Sequence, residues 1–188
     1  MRDCLVIGGP PCSGKSTLAR VVAAELGRPV LAKDDYKELV FDRLGVRDDA
    51  WSRQVGDLAW DLLFREAELL LAAGADVILE GNFRPDHGPR LRRLAERIAG
   101  GPPPRVRFVE IRCRASGAQL VARFRARAER GGRHPGHDDA AALARIGPAL
   151  ARGESASLEL GGAVLDYDTT DRFDVPALVD AVRALAPG

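Results

Sequence analysis

Gly9-Pro10-Pro11-Cys12-Ser13-Gly14-Lys15-Ser16 lies between a short apolar run, Leu5-Val6-Ile7, and a stretch of helical spacing, Lys15 to Leu26. The octet matches the spacing G-x-x-x-x-G-K-[ST], and each fixed position has a physical reason. Glycines at 9 and 14 permit backbone conformations that turn successive N–H groups inward, which makes an anion nest at a helix N-terminus. A lysine at 15 reaches β- and γ-phosphates, and a hydroxyl at 16 can ligate Mg²⁺. A buried strand before the loop and a helix after it are the setting such a cradle requires. Gly9, Pro10, Pro11, Cys12, Ser13, Gly14, Lys15, Ser16 and Thr17 are therefore expected to hold phosphates, with Ser16 also holding the metal. Cys12 reads as a small loop residue rather than a reactive thiol.

Outward from the octet, strand and helix signals alternate. Pro29 to Ala32 reads as a second strand ending at Lys33-Asp34-Asp35, and Tyr36 to Leu44 as a short helix. Trp51 to Ala73 is a long amphipathic helix, and Ala75 to Leu79 a third strand closed by Glu80-Gly81-Asn82. A basic helix from Arg90 to Ile98 precedes the loop Gly100-Gly101-Pro102-Pro103-Pro104. Val106 to Cys113 is the fourth strand and Ala115 to Arg130 an arginine-studded helix. A helix from about Asp138 to Ala151, a strand from Ala163 to Tyr167 and a helix from Val175 to Leu185 complete the chain. Near-continuous apolar strands separated by helices predict a three-layer α/β/α fold around a five-stranded parallel sheet, buried on both faces. Right-handed crossovers put every strand's C-terminal end on one edge, where ligands bind. One domain, 1–188, with a helical lid at about 115–138, is the expected organisation.

The 188 residues are 46% apolar and 29% charged, with a net charge of +1. That balance fits a soluble globular chain and leaves no broad footprint for duplex nucleic acid. No apolar run is long enough for a membrane span, and the N-terminus lacks a signal-peptide pattern. Three scattered cysteines without a CxxC pair fit a reduced, cytoplasmic protein. No oligomeric signature stands out.

GTPase switches read guanine through N-K-x-D, whereas the single asparagine here, Asn82, is followed by Phe83. Motor and transporter ATPases usually end the third strand in Asp, whereas this one ends Ile78-Leu79-Glu80-Gly81. What remains is a small compact kinase. Lys33-Asp34-Asp35-Tyr36 follows the second strand on the same edge, and a carboxylate there can orient an acceptor hydroxyl and take its proton. Asp34 is preferred and Asp35 is the alternative; either can also serve as a helix N-cap. Arg123, Arg127 and Arg130 share a helical face, with Arg125 elsewhere. Arg123 and Arg127 are expected to neutralise a transferring phosphoryl group. His134 and His137 flank a Pro-Gly turn that reads as part of the lid rather than as a metal site. Trp51 and Trp60 read as packing.

GGPPCSGKST, KDDY, ILEGNF and LVARFRARAERG together resemble the P-loop kinases that include polynucleotide 5′-hydroxyl kinases, chloramphenicol phosphotransferase and zeta-toxin-like kinases. The resemblance spans almost the whole chain. It implies Asp34 as general base, Arg123 and Arg127 as the lid arginines four apart, and Asn82 in the acceptor site. Lys37 stands where that family has an arginine holding a substrate phosphate, with a point charge in place of a planar fork. Asp35 and Arg84 complete the implied acceptor side, and Thr169 belongs to the loop that packs on adenine. ATP with Mg²⁺ is the implied donor. The expected activity is transfer of the γ-phosphoryl group to a hydroxyl of a small molecule such as a nucleoside, sugar or antibiotic. A polynucleotide 5′ end is the second acceptor class, and a nucleotide-binding regulatory or toxin–antitoxin protein with little turnover is the third reading.

Overall fold

A computed structural model describes residues 1–100, 105–152, 156–170 and 174–185. The glycine-proline loop therefore falls largely outside the described residues. The strands are β1 (Arg2–Gly8), β2 (Val30–Ala32), β3 (Val77–Glu80), β4 (Val106–Arg114) and β5 (Ala163–Asp168). The helices are α1 (Lys15–Leu26), α2 (Lys33–Leu44), α3 (Asp49–Ala72), α4 (His87–Ala99), α5 (Gly117–Arg130), α6 (Asp139–Arg152) and α7 (Val175–Ala184). The five strands form one parallel sheet in the order β2-β3-β1-β4-β5.

β1 is central, and its alternation builds the two faces. Cys4 and Val6 join Trp60, Leu63, Leu79 and Leu91 in a core beneath α3 and α4. Leu5 and Ile7 join Leu18, Val22, Val109 and Val179 in a second core beneath α1 and α7. All four β1 residues are fully buried, which is why a parallel strand covered by helices on both sides reads as a continuous apolar run. The register pairs Ile7 with both Glu80 and Ile111. The ends of β3 and β4 thus flank the loop that follows β1.

α5 and α6 form the lid as an antiparallel pair with its own small core of Leu120, Phe124 and Leu150, against which Cys12 also packs. The lid therefore extends through α6, beyond the expected end near residue 138. A second difference lies at the head of α2. The helix begins at Lys33, its N-cap is Ala32 without a side-chain bond, and Asp34 and Asp35 both sit in the first turn. Neither acid is the cap; both lie where the helix dipole favours a carboxylate.

Candidate active site

The loop from Gly9 to Gly14 leaves β1 and turns directly into α1. Gly9 has φ +146, and a Cβ there would lie 2.5 Å from the Cys113 carbonyl oxygen. Only glycine lets the loop pass so close to β4. Gly14, the N-cap of α1, is left-handed at φ 82. Cys12 is also left-handed at φ 64, a conformation uncommon outside glycine. Burial pushes its thiol up despite Arg127 and Lys15 nearby, so it is not an activated thiolate.

Behind the loop, Thr169 is 1% exposed and its hydroxyl donates to the Ser13 carbonyl at 2.8 Å. Thr169 therefore braces the cradle from below, with its side chain turned to the loop rather than to open space. Arg123 joins this brace. Its Nη2 donates to the carbonyls of Thr169 at 2.6 Å and Thr170 at 3.1 Å, and its Nη1 to Thr169 Oγ1 at 3.2 Å.

The loop opens onto a cleft of about 900 Å³. Lys15, Ser16 and Thr17 line its floor, with Glu80 at the end of β3 facing them. Lys15 Nζ lies 4.0 Å from Glu80 Oε1. Burial pushes the Glu80 carboxyl up, against the opposing pull of Lys15 and of a hydrogen bond from Ser16. A hydroxyl and a carboxylate side by side are the hard oxygen donors that Mg²⁺ takes, so the residues present fit the ion the cradle implies. Glu80 was not among the expected site residues. The available signal was an acid closing a run of three fully buried apolar residues, Val77 to Leu79.

Asp34, Asp35 and Glu38 line the opposite wall from α2. Asp34 accepts from Lys33 Nζ at 3.2 Å and from Arg133 Nη2 at 2.5 Å. Burial raises its pKa, but Lys33, His137 and Arg133 outweigh that and hold the carboxyl well below the usual range. Asn82 and Arg84 also line the cleft, and Arg84 pairs with Asp86 at 3.2 Å. Their turn is held from beneath by buried His87, whose Nδ1 accepts from the Arg84 N–H at 3.1 Å while its ring packs 4.2 Å from that of Trp60. Burial pulls the His87 pKa down to about 4. Lys37 is not on this wall: its Nζ donates to Ser52 Oγ at 2.9 Å and lies 5.2 Å from the Phe41 ring centre. Burial next to Lys33 lowers its pKa to about 8. Trp60 borders the cleft with 6% exposure. Trp51 stands apart, hydrogen-bonded to Gly45 and covered by Arg47.

The lid supplies Arg127, Arg130 and Arg133 to the cleft as well as Arg123. Arg127 makes a bidentate pair with Asp139, with Nε at 2.8 Å and Nη2 at 3.0 Å. His137 Nε2 meets Glu38 Oε1 at 2.9 Å, and His134 Nε2 meets Asp42 Oδ1 at 3.0 Å. The turn between them thus rests on α2. Burial pulls the His137 pKa down to about 4, with Arg133 adding to the effect. Arg133 and Asp139 were also absent from the expected set, because their roles arise from contacts 99 and 12 residues apart in sequence. Among the described residues no helix is long and apolar enough to cross a membrane.

Comparison with known proteins follows the same lines. The profile of a protein family described as an AAA domain matches residues 5–148. Uncharacterized proteins of Mycobacterium tuberculosis and Mycobacterium bovis are 34% identical over 176 residues, 90% of this chain. The chain spans 31% of the length of these curated relatives. Among solved structures, a candidate kinase of Chloroflexus aurantiacus superposes with a TM-score of 0.87 at 37% identity over 99% of both chains. A gluconokinase of Sinorhizobium meliloti superposes at 0.54 with 19% identity, over 98% of this chain and 90% of its own. A sugar kinase of a Janibacter species superposes at 0.54 with 18% identity, over 100% and 99%. The last two share the fold.

Proposed function

The chain belongs to the AAA-domain family matched over residues 5–148 and has a P-loop kinase fold, and from these premises we propose that it transfers the γ-phosphoryl group of ATP to the hydroxyl of a small-molecule acceptor. The observation that carries the reading is the facing pair of walls: Lys15 and Ser16 on one side of the cleft, ionised Asp34 on the other. The likeness to a candidate kinase over 99% of both chains supports it.

In this reading the loop amides and Lys15 bind the β- and γ-phosphates, and Ser16 with Glu80 would hold Mg²⁺. The ion, when bound, neutralises charge on the phosphate oxygens. Asp34 accepts a hydrogen bond from the acceptor hydroxyl and takes its proton as the oxygen attacks phosphorus. The new O–P bond forms as the bond to the β-phosphate oxygen breaks, and ADP leaves with that electron pair. Arg127 balances charge on the equatorial oxygens, while Arg123 braces the lid against the strand-end loop. A side chain whose carboxyl stays ionised is always ready to accept, though it is a weak base. Its contribution is orientation as much as proton transfer.

A cleft of about 900 Å³ has room for a nucleotide and a compact acceptor. Incubating the protein with Mg²⁺ and γ-labelled ATP alongside nucleosides, sugars, aminoglycosides and 5′-hydroxyl oligonucleotides tests this directly. Label on a small molecule upholds the reading. Label on oligonucleotides alone moves it to polynucleotide ends, and tight ATP binding without transfer moves it to a regulatory nucleotide-binding protein.

A further inference from the structure

Asp139, the first residue of α6, has a side chain only 10% exposed and accepts from two arginines at once. Arg127 holds it through Nε and Nη2, and Arg133 through Nη1 at 3.0 Å. The free arm of Arg133, Nη2, crosses to Asp34 Oδ2. A continuous chain of charge, Arg127–Asp139–Arg133–Asp34, therefore links α5, α6 and the lid turn to the head of α2. Its two ends differ. Asp139 is enclosed by both guanidinium groups, and removing a partner from such a pair is costly. Asp34 is 44% exposed at the side chain, and an exposed pair is easily exchanged. A phosphate offers Arg133 the same planar, two-point recognition as a carboxylate, with more charge.

Resting on the kinase reading above, we propose that Asp139 is a positioning residue that carries Arg127 and Arg133 as one unit, and that Arg133 leaves Asp34 for the γ-phosphate when nucleotide enters. At rest, Arg133 covers the carboxylate that an acceptor hydroxyl needs. A γ-phosphate draws Arg133 off, so Asp34 becomes available only when there is a group to transfer. Triphosphate binds ahead of acceptor, and a diphosphate leaves Asp34 covered.

Two experiments test the two halves. Limited trypsin digestion of the nucleotide-free protein, followed by peptide mass, reads the release of Arg127 and Arg133. Asp139→Asn should speed cleavage after both by about fivefold or more, whereas Asp139→Glu should stay within about twofold of wild type. Equal rates in the Asn variant and wild type overturn the coupling. Calorimetry with a non-hydrolysable ATP analogue reads the exchange, using two half-buried positions at the cleft. Asp34→Asn should tighten the analogue about fivefold in the wild-type background and not in the Arg133→Gln background, with ADP unchanged in both. Equal tightening in both backgrounds, or of ADP alike, overturns the exchange. A wild-type protein that binds neither nucleotide brings down the kinase reading and the exchange with it, while the trypsin rates still decide the role of Asp139.

Discussion

Between Pro11 and Ser16 the cleft is lined by a loop held in fixed turns, whereas across it, from Asp34 to Arg133, it is lined by paired charges. The first wall is contiguous in sequence and braced from below by Thr169 and Arg123. The second is assembled from α2, the end of β3 and the two lid helices. A wall of amides costs no reorganisation when phosphate arrives. A wall of ion pairs must break some of them, and so can respond to what is bound.

Substitutions on each wall should fail in different ways. Lys15→Ala, which removes the fixed cation of the rigid wall, should lower kcat by about 10⁴-fold or more; a near-normal kcat in steady-state assays would break the comparison at its root. Asp34→Asn should lower kcat by about 10²–10⁴-fold without weakening Mg·ATP binding. If Asp35→Asn is the more damaging change, the two acids exchange roles. Glu80→Gln should lower kcat by about 10- to 100-fold and raise the Mg²⁺ concentration needed for half-maximal rate. Arg127→Ala should cost about 10-fold or more in kcat, with a smaller change in nucleotide affinity by calorimetry; a wild-type rate would make it a surface residue.

The remaining expected effect is on stability and concerns only the second wall. His87 and His137 both have folded pKa values of about 4, lowered chiefly by burial, against about 6.5 unfolded. The unfolded chain therefore takes up protons first as pH falls. Stability from these groups is complete above pH 6.5 and is lost between 6.5 and 4, by up to about 3 kcal/mol for each. Thermal melting across that range should show the loss, and His87→Phe should flatten the slope.

The same contrast explains what could be read in advance. α1 begins and ends where the sequence pattern puts it, at Lys15 and Leu26, because a glycine bounds each end. The parallel sheet was legible from apolar runs such as Leu5 to Ile7, buried on both faces. Glu80 carried only the local signal of an acid closing an apolar strand, and Arg133 and Asp139 were not legible as site residues, since nothing local distinguishes an arginine in a turn or an acid at a helix start. Their meaning comes from partners brought together by the crossovers. Lys37 and Thr169 illustrate the converse. Motif position put them on the ligand, and packing turned one toward Ser52 and the other beneath the loop.

Titrating ATP into the wild-type protein by calorimetry, with Mg²⁺ and then with Mg²⁺ chelated, tests the phosphate cradle most directly. The geometry predicts one site per chain, weakened by about 10-fold or more without the ion and by about 100-fold in Lys15→Ala. Folded wild-type protein that takes up no nucleoside triphosphate in the presence of Mg²⁺ would contradict it.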